Sequence, residues 1–434
     1  MKITVVGTGY VGLVSGVCFS DFGFNVICVD NNVSKIEKLK KGIIPIYEDG
    51  LEKLMVKNMR IGRLSFTSDV ATGVKDADLV FIAVGTPSKP DGSADLSYIY
   101  DAVSDLAPHV NKHAILVIKS TVPVGTTRAV KKFLQDKGND LEVAFNPEFL
   151  REGVAVEDFL RPDRIILGVE SKKAEKALVR AYRPLYMLSI PIMFTDLETA
   201  ELSKYAANAL LAMKITFINE VANLCEKCGA DVKEVAHAIG MDKRIGEQFL
   251  QAGPGYGGSC FPKDTSALSD FAKKFGVDMP LVDEVIRSNC ARRDKMIKKI
   301  MDVCDNDVKN KNVSVLGVTF KANTDDMRDS PSIGIVNYLL EKGAKVKIYD
   351  PSFSKQAQDI FKNAEWSSNV YDNCNDADVI VILTDWAEFR AVNLAELRCR
   401  VRNPLLVDLR SMYTVSEVKA TGFVYHSVGR PLVK

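Results

Sequence analysis

Ile3-Thr-Val-Val-Gly7-Thr-Gly9-Tyr-Val-Gly12 is the stretch that decides the fold. A β-branched run passes directly into G-x-G-x-x-G, and the following residues have helical composition. In such a strand, turn and helix start, the glycines permit the tight turn, the close approach of a pyrophosphate and the packing of helix on strand. Amides at the helix start, with the positive end of its dipole, then hold the phosphates. A second strand, Asn25-Val-Ile-Cys-Val29, ends at Asp30, about 20 residues further on, where a carboxylate accepts from a ribose 2′-hydroxyl and repels a 2′-phosphate. The pattern predicts a dinucleotide site for NAD rather than NADP, although nearby Lys35 offers a cation to a phosphate. A bare glycine turn satisfies the motif by itself; the acid at this spacing is what adds the cofactor.

Outward from this start the chain keeps alternating. Leu79-Val-Phe-Ile-Ala-Val84 and Ala114-Ile-Leu-Val-Ile118 are further strands separated by helix-length intervals, so the first part reads as a parallel sheet with helices on both faces. Turns at Gly85-Thr-Pro-Ser88 and Ser120-Thr-Val-Pro-Val-Gly-Thr126 fall at the carboxyl ends of these strands, making Thr86 and Thr121 candidates for the nicotinamide half. From Leu197 to Arg293 helix formers dominate. Strand signals return at Val313-Ser-Val-Leu316, Lys345-Val-Lys-Ile348, Asp378-Val-Ile-Val-Ile-Leu383 and Pro404-Leu-Leu-Val407. The expected architecture is α/β: two Rossmann-like, doubly wound domains, 1–196 and 302–434, joined by a central helical domain with a long helix, 197–301. The polar stretch Asp302 to Asn312 is the expected hinge.

Composition removes whole function classes. The 434 residues carry 57 Lys plus Arg and 56 Asp plus Glu, a net charge of +1, so no field of either sign draws in nucleic acid or an anionic membrane. No apolar run reaches the roughly 18 residues of a membrane span. Nine cysteines, an odd number scattered along the chain, and the lack of a secretory leader pattern point to reduced thiols in the cytoplasm. Four histidines without zinc spacing argue against a metal; His109 and His113 read as surface residues.

The least ordinary segment is Gly253-Pro-Gly-Tyr-Gly-Gly-Ser-Cys260-Phe-Pro-Lys-Asp264. Its glycines free the backbone to wrap a ligand, and a cysteine near a helix start and a lysine is favoured as the thiolate, ready to attack a carbonyl carbon. Cys225 and Cys228 form C-x-x-C in a helical setting without a second pair, so structural thiols are expected there. Lys204 and Asn208, four apart, share one face of an otherwise apolar helix, where polar groups need partners. Glu148 and Glu152 are also four apart, in Asn146-Pro-Glu-Phe-Leu-Arg-Glu152; spacing alone leaves them solvated.

Taken together these segments, with Lys119-Ser-Thr-Val-Pro-Val-Gly-Thr126 and Lys321-Ala-Asn-Thr-Asp-Asp-Met-Arg-Asp-Ser-Pro331, resemble the UDP-glucose 6-dehydrogenase family over essentially the whole chain. Ser259 stands where UDP-N-acetylmannosamine members typically carry histidine; Asp408-Leu-Arg-Ser411 departs from the family's usual Asp-Gly-Arg-Asn. The resemblance implies a four-electron oxidation of UDP-glucose by NAD through a thiohemiacetal and a thioester on Cys260. Lys204 and Asn208 would stabilise oxyanions, Asp264 or Glu148 would serve as base, and Thr121 would hold water. It also implies an NAD site lined by Gly7, Gly9, Tyr10, Val11, Gly12, Asp30, Lys35, Thr86, Thr121, Glu152, Lys263 and Arg328. For the sugar nucleotide it implies Glu148, Phe149, Leu150, Arg151, Glu152, Lys204, Asn208, Phe249, Leu250, Gln251, Ala252, Gly253, Gly257 and Lys321, with Arg244 reaching a neighbouring subunit. A homodimer built on the helical middle, with the active site between the α/β domains, completes the implication. GDP-mannose or UDP-N-acetylmannosamine oxidation, a two-electron β-hydroxyacid dehydrogenase lacking the cysteine step, and an inactive nucleotide-sugar sensor are the competing readings.

Overall fold

A computed structural model describes residues 1–89 and 92–433. The β-branched runs become short strands buried on both sides, as a parallel sheet covered by helices requires. The first sheet contains β1 (Lys2–Val6), β2 (Asn25–Val29), β3 (Leu64–Thr67), β4 (Leu79–Ile82), β5 (Ile115–Ile118), β6 (Glu142–Phe145), β7 (Ile165–Gly168) and β8 (Ile192–Thr195). Their order is β3-β2-β1-β4-β5-β6-β7-β8. All pairs are parallel except β6 with β7, which meet antiparallel at Phe145 and Gly168. The second sheet, wholly parallel, contains β9 (Asn312–Leu316), β10 (Lys345–Tyr349), β11 (Glu365–Trp366), β12 (Val379–Ile382), β13 (Leu405–Asp408) and β14 (Val424–Ser427). Its order, β11-β10-β9-β12-β13-β14, repeats the 3-2-1-4-5-6 order of the first six strands of the other sheet.

The helical middle is led by one helix of 32 residues, Leu197–Cys228, followed by Val232–Gly240, Phe261–Lys274 and Pro280–Val303. Between Val303 and β9 the expected hinge turns on Asp305, Asn306 and Asn310, all at positive φ, the residue types that tolerate that conformation best. Contacts group the chain into two compact units: Met1–Ala207 with Asp270–Val277, and Asn208–Ser269 with Asp278–Lys434. In the first, Ile3, Val5, Leu13, Val17, Phe19 and Phe81 pack one face of the sheet, while Ile82, Val103, Leu116 and Val130 pack the other. In the second, Val313, Val315, Ile335 and Val379 lie on one face, and Ile380, Phe389, Leu406 and Tyr425 on the opposite one. No helix among the described residues is long and apolar enough to cross a membrane.

Candidate active site

In the first unit β1 runs into Gly7, at φ +95°, and the helix Tyr10–Asp21 begins after Gly9 with no side chain capping its N-terminus. A Cβ on Gly12 would stand 1.9 Å from the Gly7 carbonyl oxygen, so only glycine lets helix and turn close to this distance. The uncapped amides, the close-set backbone and an acid at the end of β2 are what a dinucleotide pyrophosphate and ribose need. That acid, Asp30, accepts from the Thr8 amide at 2.8 Å, the Thr8 hydroxyl at 2.7 Å and the Asn32 amide at 3.0 Å. Lys35 Nζ lies 3.1 Å from it, so the lysine's charge is spent on Asp30. Burial pushes the Asp30 carboxyl up, but these bonds and Lys35 outweigh it and hold the group below the usual aspartate range.

Tyr10 bonds the buried Glu48, which accepts from the amides of Gly153, at 2.8 Å, and Val156, at 3.3 Å. The loop carrying Glu152 is thereby tied to the glycine turn. Thr86 Oγ1 donates to the Thr121 carbonyl at 2.9 Å, joining the two turns at the ends of β4 and β5. Glu148 is fixed by two donors on Oε1, the amides of Phe149 and Leu150 at 2.7 and 3.1 Å, and by an ion pair with the buried Lys119, whose Nζ lies 2.6 Å from Oε2. Arg151 pairs with Asp158 at the surface. Lys204, 5% exposed, lies with its ammonium 5.2 Å from the centroid of the Phe149 ring.

In the second unit Cys260 immediately precedes the helix Phe261–Lys274 and is half-buried, with Ser259 Oγ 3.5 Å from its sulfur. Asp264 lies one turn into that helix at 1% exposure; it accepts from Asn208 Nδ2 at 2.5 Å and bonds Lys263. Lys204 is one turn before Asn208 on the long helix. Gly257 packs so tightly on the segment Lys321–Pro331 that a Cβ would stand 2.3 Å from the Asp329 carbonyl oxygen, and Gly258 N donates to Arg328 O at 2.8 Å. Phe249, at φ +65°, stacks edge-on against Phe261, with ring centroids 5.9 Å apart. Arg244, by contrast, is exposed and pairs with its own neighbour Asp242. Arg328 lies at the surface, paired with Asp326.

Three groups were not singled out from sequence. Glu48 and Glu201 are buried carboxylates whose donors lie from 38 to 108 residues away, and a buried acid has no local signature. Arg410, in Asp408-Leu-Arg-Ser411, donates to Phe320 O at 3.0 Å, and its Nη1 would be 3.3 Å from a Cβ on Gly253. The unusual loop sequence was the available signal. Cys225 is buried and Cys228 exposed on the long helix; all nine cysteines are free.

Three segments match the UDP-glucose/GDP-mannose dehydrogenase family in succession: its NAD binding domain over residues 1–186, its central domain over 198–291 and its UDP binding domain over 314–415. The chain is 50% identical to the UDP-glucose 6-dehydrogenase of Rhizobium meliloti over 99% of its own length and 100% of the relative's. A UDP-glucose dehydrogenase structure from Pyrobaculum islandicum superposes with a TM-score of 0.90 at 36% identity, covering 99% of this chain and 98% of that one. A UDP-D-ManNAc dehydrogenase from Pyrococcus horikoshii gives 0.86 at 27% identity, with 99% of both chains covered. The chain is therefore an NAD-dependent oxidoreductase and belongs to the UDP-glucose/GDP-mannose dehydrogenase family.

Proposed function

We propose that the protein oxidises UDP-glucose to UDP-glucuronate in two successive two-electron steps at C6, with Cys260 as the covalent nucleophile. The observation that carries this reading is the arrangement of Cys260 at the start of a helix with Asp264 one turn on, its carboxylate held by Asn208 and Lys263. NAD, held by the glycine turn and Asp30, supplies the hydride acceptor for both oxidations. Between them Cys260 Sγ adds to the aldehyde carbon, a C–S bond forms and the carbonyl oxygen takes a proton, giving a thiohemiacetal that cannot diffuse away. After the second oxidation the carbon is held as a thioester. Water then adds, the C–S bond breaks, and the sulfur leaves as the thiolate.

Lys204 and Asn208 are assigned as donors to the oxygen that gains charge in these steps. Asp264, Glu148 and Thr121 are assigned to proton transfer and water placement. Asp264 is hydrogen-bonded through both oxygens, whereas Glu148 takes its two amide bonds on Oε1 and its Oε2, facing Lys119, has no hydrogen-bond partner, so the bonding does not favour Asp264 over Glu148. We assign the loop Phe249–Gly253 with Gly257, Lys321 and Glu148–Glu152 to the sugar nucleotide, and Arg244 to a neighbouring subunit's site. Lys35, Thr86, Glu152, Lys263 and Arg328 are assigned to NAD. The greater identity to UDP-glucose enzymes, 50% and 36% against 27%, supports glucose over N-acetylmannosamine.

A homodimer is supported by Leu210, Phe217 and Leu224, seven apart and all exposed along the long helix, the spacing of a helix-pairing seam; sedimentation equilibrium decides it. Nine free cysteines support a reducing, cytoplasmic location, which fractionation of cells checks. The function itself is tested by counting NADH formed per UDP-glucose under limiting sugar and excess NAD. A ratio of two supports the reading. A ratio of one removes the second oxidation, and none at all transfers the question to GDP-mannose and UDP-N-acetylmannosamine.

A further inference from the structure

The loop just before Cys260 is held from behind by side chains that take no part in the chemistry above. Asn289, in the helix Pro280–Val303, accepts from Tyr256 N through Oδ1 at 2.9 Å and donates through Nδ2 to Tyr256 O at 3.0 Å. Three residues further along the same helix, Arg292 Nε donates to Gly253 O at 2.9 Å. Asn219, on the long helix, accepts from Gly253 N at 2.8 Å. Both backbone polar groups of Gly253 and of Tyr256 are thus paired by side chains, as a neighbouring strand would pair them.

That substitution has a physical purpose. Gly253-Pro-Gly-Tyr-Gly-Gly258 has four glycines in six residues, and glycine loses more backbone freedom on ordering than any other residue. A ligand that met this loop disordered would have to order it on binding. Arg292 shows how far the fold goes to avoid this. It is 3% exposed, and its acceptors are all neutral: Gly253 O, Asn219 O at 3.3 Å and Asn223 Oδ1 at 2.5 Å. Its Nη2 has no hydrogen-bond partner, and burial pulls the guanidinium down to about 10. A buried cation with no carboxylate bonded to it, Glu226 acting only from a distance, is costly, and the loop it fixes is the one that leads to the nucleophile.

We infer that Asn289, Arg292 and Asn219 are positioning residues that preorganise the Gly253–Tyr256 backbone for the sugar nucleotide. The inference rests on the reading that this loop holds UDP-glucose. Asn289 is the residue to change, because it is half-buried and its loss leaves Arg292 in place. Asn289→Ala is expected to raise KM for UDP-glucose about tenfold or more, with kcat within threefold, KM for NAD within twofold and the melting temperature preserved. Gly255→Ala attacks the same clip from the other side, since its Cβ would stand 2.8 Å from Asn289 Oδ1, and is expected to reproduce the rise in KM. The inference is overturned if Asn289→Ala keeps the wild-type KM for UDP-glucose. It is equally overturned if both KM values, kcat and melting temperature deteriorate together, the pattern of a general structural role. Wild-type protein that does not turn over UDP-glucose overturns the reading and the inference at once; normal wild-type turnover with an unchanged variant overturns the inference alone.

Discussion

Glu201, in the first turns of the long helix, is completely buried, and its carboxylate takes three hydrogen bonds from a single loop. Oε2 accepts from Gly125 N at 2.6 Å; Oε1 accepts from Thr127 N at 2.8 Å and Thr127 Oγ1 at 2.6 Å. The helix Thr126–Asp136 starts after Gly125, which has no side chain to cap it, so Glu201 supplies the cap from another element. Glu201→Ala strands the buried amide and hydroxyl of Thr127 and the half-buried amide of Gly125. At about 1–3 kcal/mol for each stranded group, partly offset by no longer burying an acid, the net loss is about 2–4 kcal/mol. At about 1.4 kcal/mol per factor of ten, local opening becomes about 30- to 1000-fold more frequent. Hydrogen–deuterium exchange of peptides covering 120–130 measures it; tryptophan emission does not, because Trp366 and Trp386 both lie in the second unit. Acceleration below threefold refutes the reasoning, and equal acceleration throughout the first unit means that Glu201 supports the whole unit rather than this loop. The pH dependence has a definite sign. Burial raises the Glu201 carboxyl above the usual glutamate value despite the bonds from Thr127 and Gly125. Proton uptake therefore contributes fully below about pH 4.3, and that contribution is lost as pH climbs through the raised value. Glu201→Gln, which does not titrate, should lack this decline.

Asp30→Ala removes a charged acceptor and should raise KM for NAD about 10- to 100-fold while leaving KM for the sugar nucleotide unchanged; unaltered NAD affinity contradicts the assignment. Because Asp30 is held below its ordinary value, its contribution is present throughout the neutral range and is lost only as pH falls through that depressed value. Lys119→Met leaves the Glu148 carboxylate without its buried ion partner and should destabilise the first unit by about 3–5 kcal/mol, read as a lower unfolding temperature by scanning calorimetry. A variant as stable as wild type would show that the two backbone amides suffice to hold Glu148.

Much of this molecule is legible in one dimension because its decisive features are continuous in sequence. Asn25–Val29 is the expected strand to the residue, and Leu79, Ile115, Asn312, Lys345, Val379 and Leu405 begin strands within a residue of where β-branched runs place them. Strands of four residues with an ordinary composition, such as Leu64–Thr67 and Glu142–Phe145, did not announce themselves, and the antiparallel turn at β7 has no local cause. The site divides in the same way. The Gly253–Asp264 and Lys321–Pro331 segments each stand out, yet only the fold shows that Gly257 lies against Asp329. Glu201, Asn219, Asn289 and Arg292 are single polar residues in helices of mixed composition. What makes them matter is a backbone donor or acceptor 33 to 76 residues distant, and periodicity carries no information about that.

The two sheets show how one architectural device can be kept while its chemistry is changed. At the end of the second strand of each sheet stands an aspartate that takes the amides of the turn after the first strand: Thr8 N on Asp30, and Val318 N and Thr319 N on Asp350, at 2.8, 2.7 and 3.1 Å. Each turn opens with a glycine at positive φ, Gly7 or Gly317, packed against the end of the next strand over. The copies then part. At the offsets of Gly9 and Gly12 from the opening glycine the second turn has Thr319 and Ala322, so it lacks the glycines that let a pyrophosphate approach the backbone. Asp350 is wholly buried, with the Ser352 amide and hydroxyl on its other oxygen, whereas Asp30 keeps an edge at the surface. The first aspartate has an oxygen to offer a ribose; the second has none left. The strand order of a dinucleotide fold thus recurs without the glycines of its turn, and the second turn instead presents Phe320 against Gly257 and Gly258, in the glycine loop that leads to Cys260.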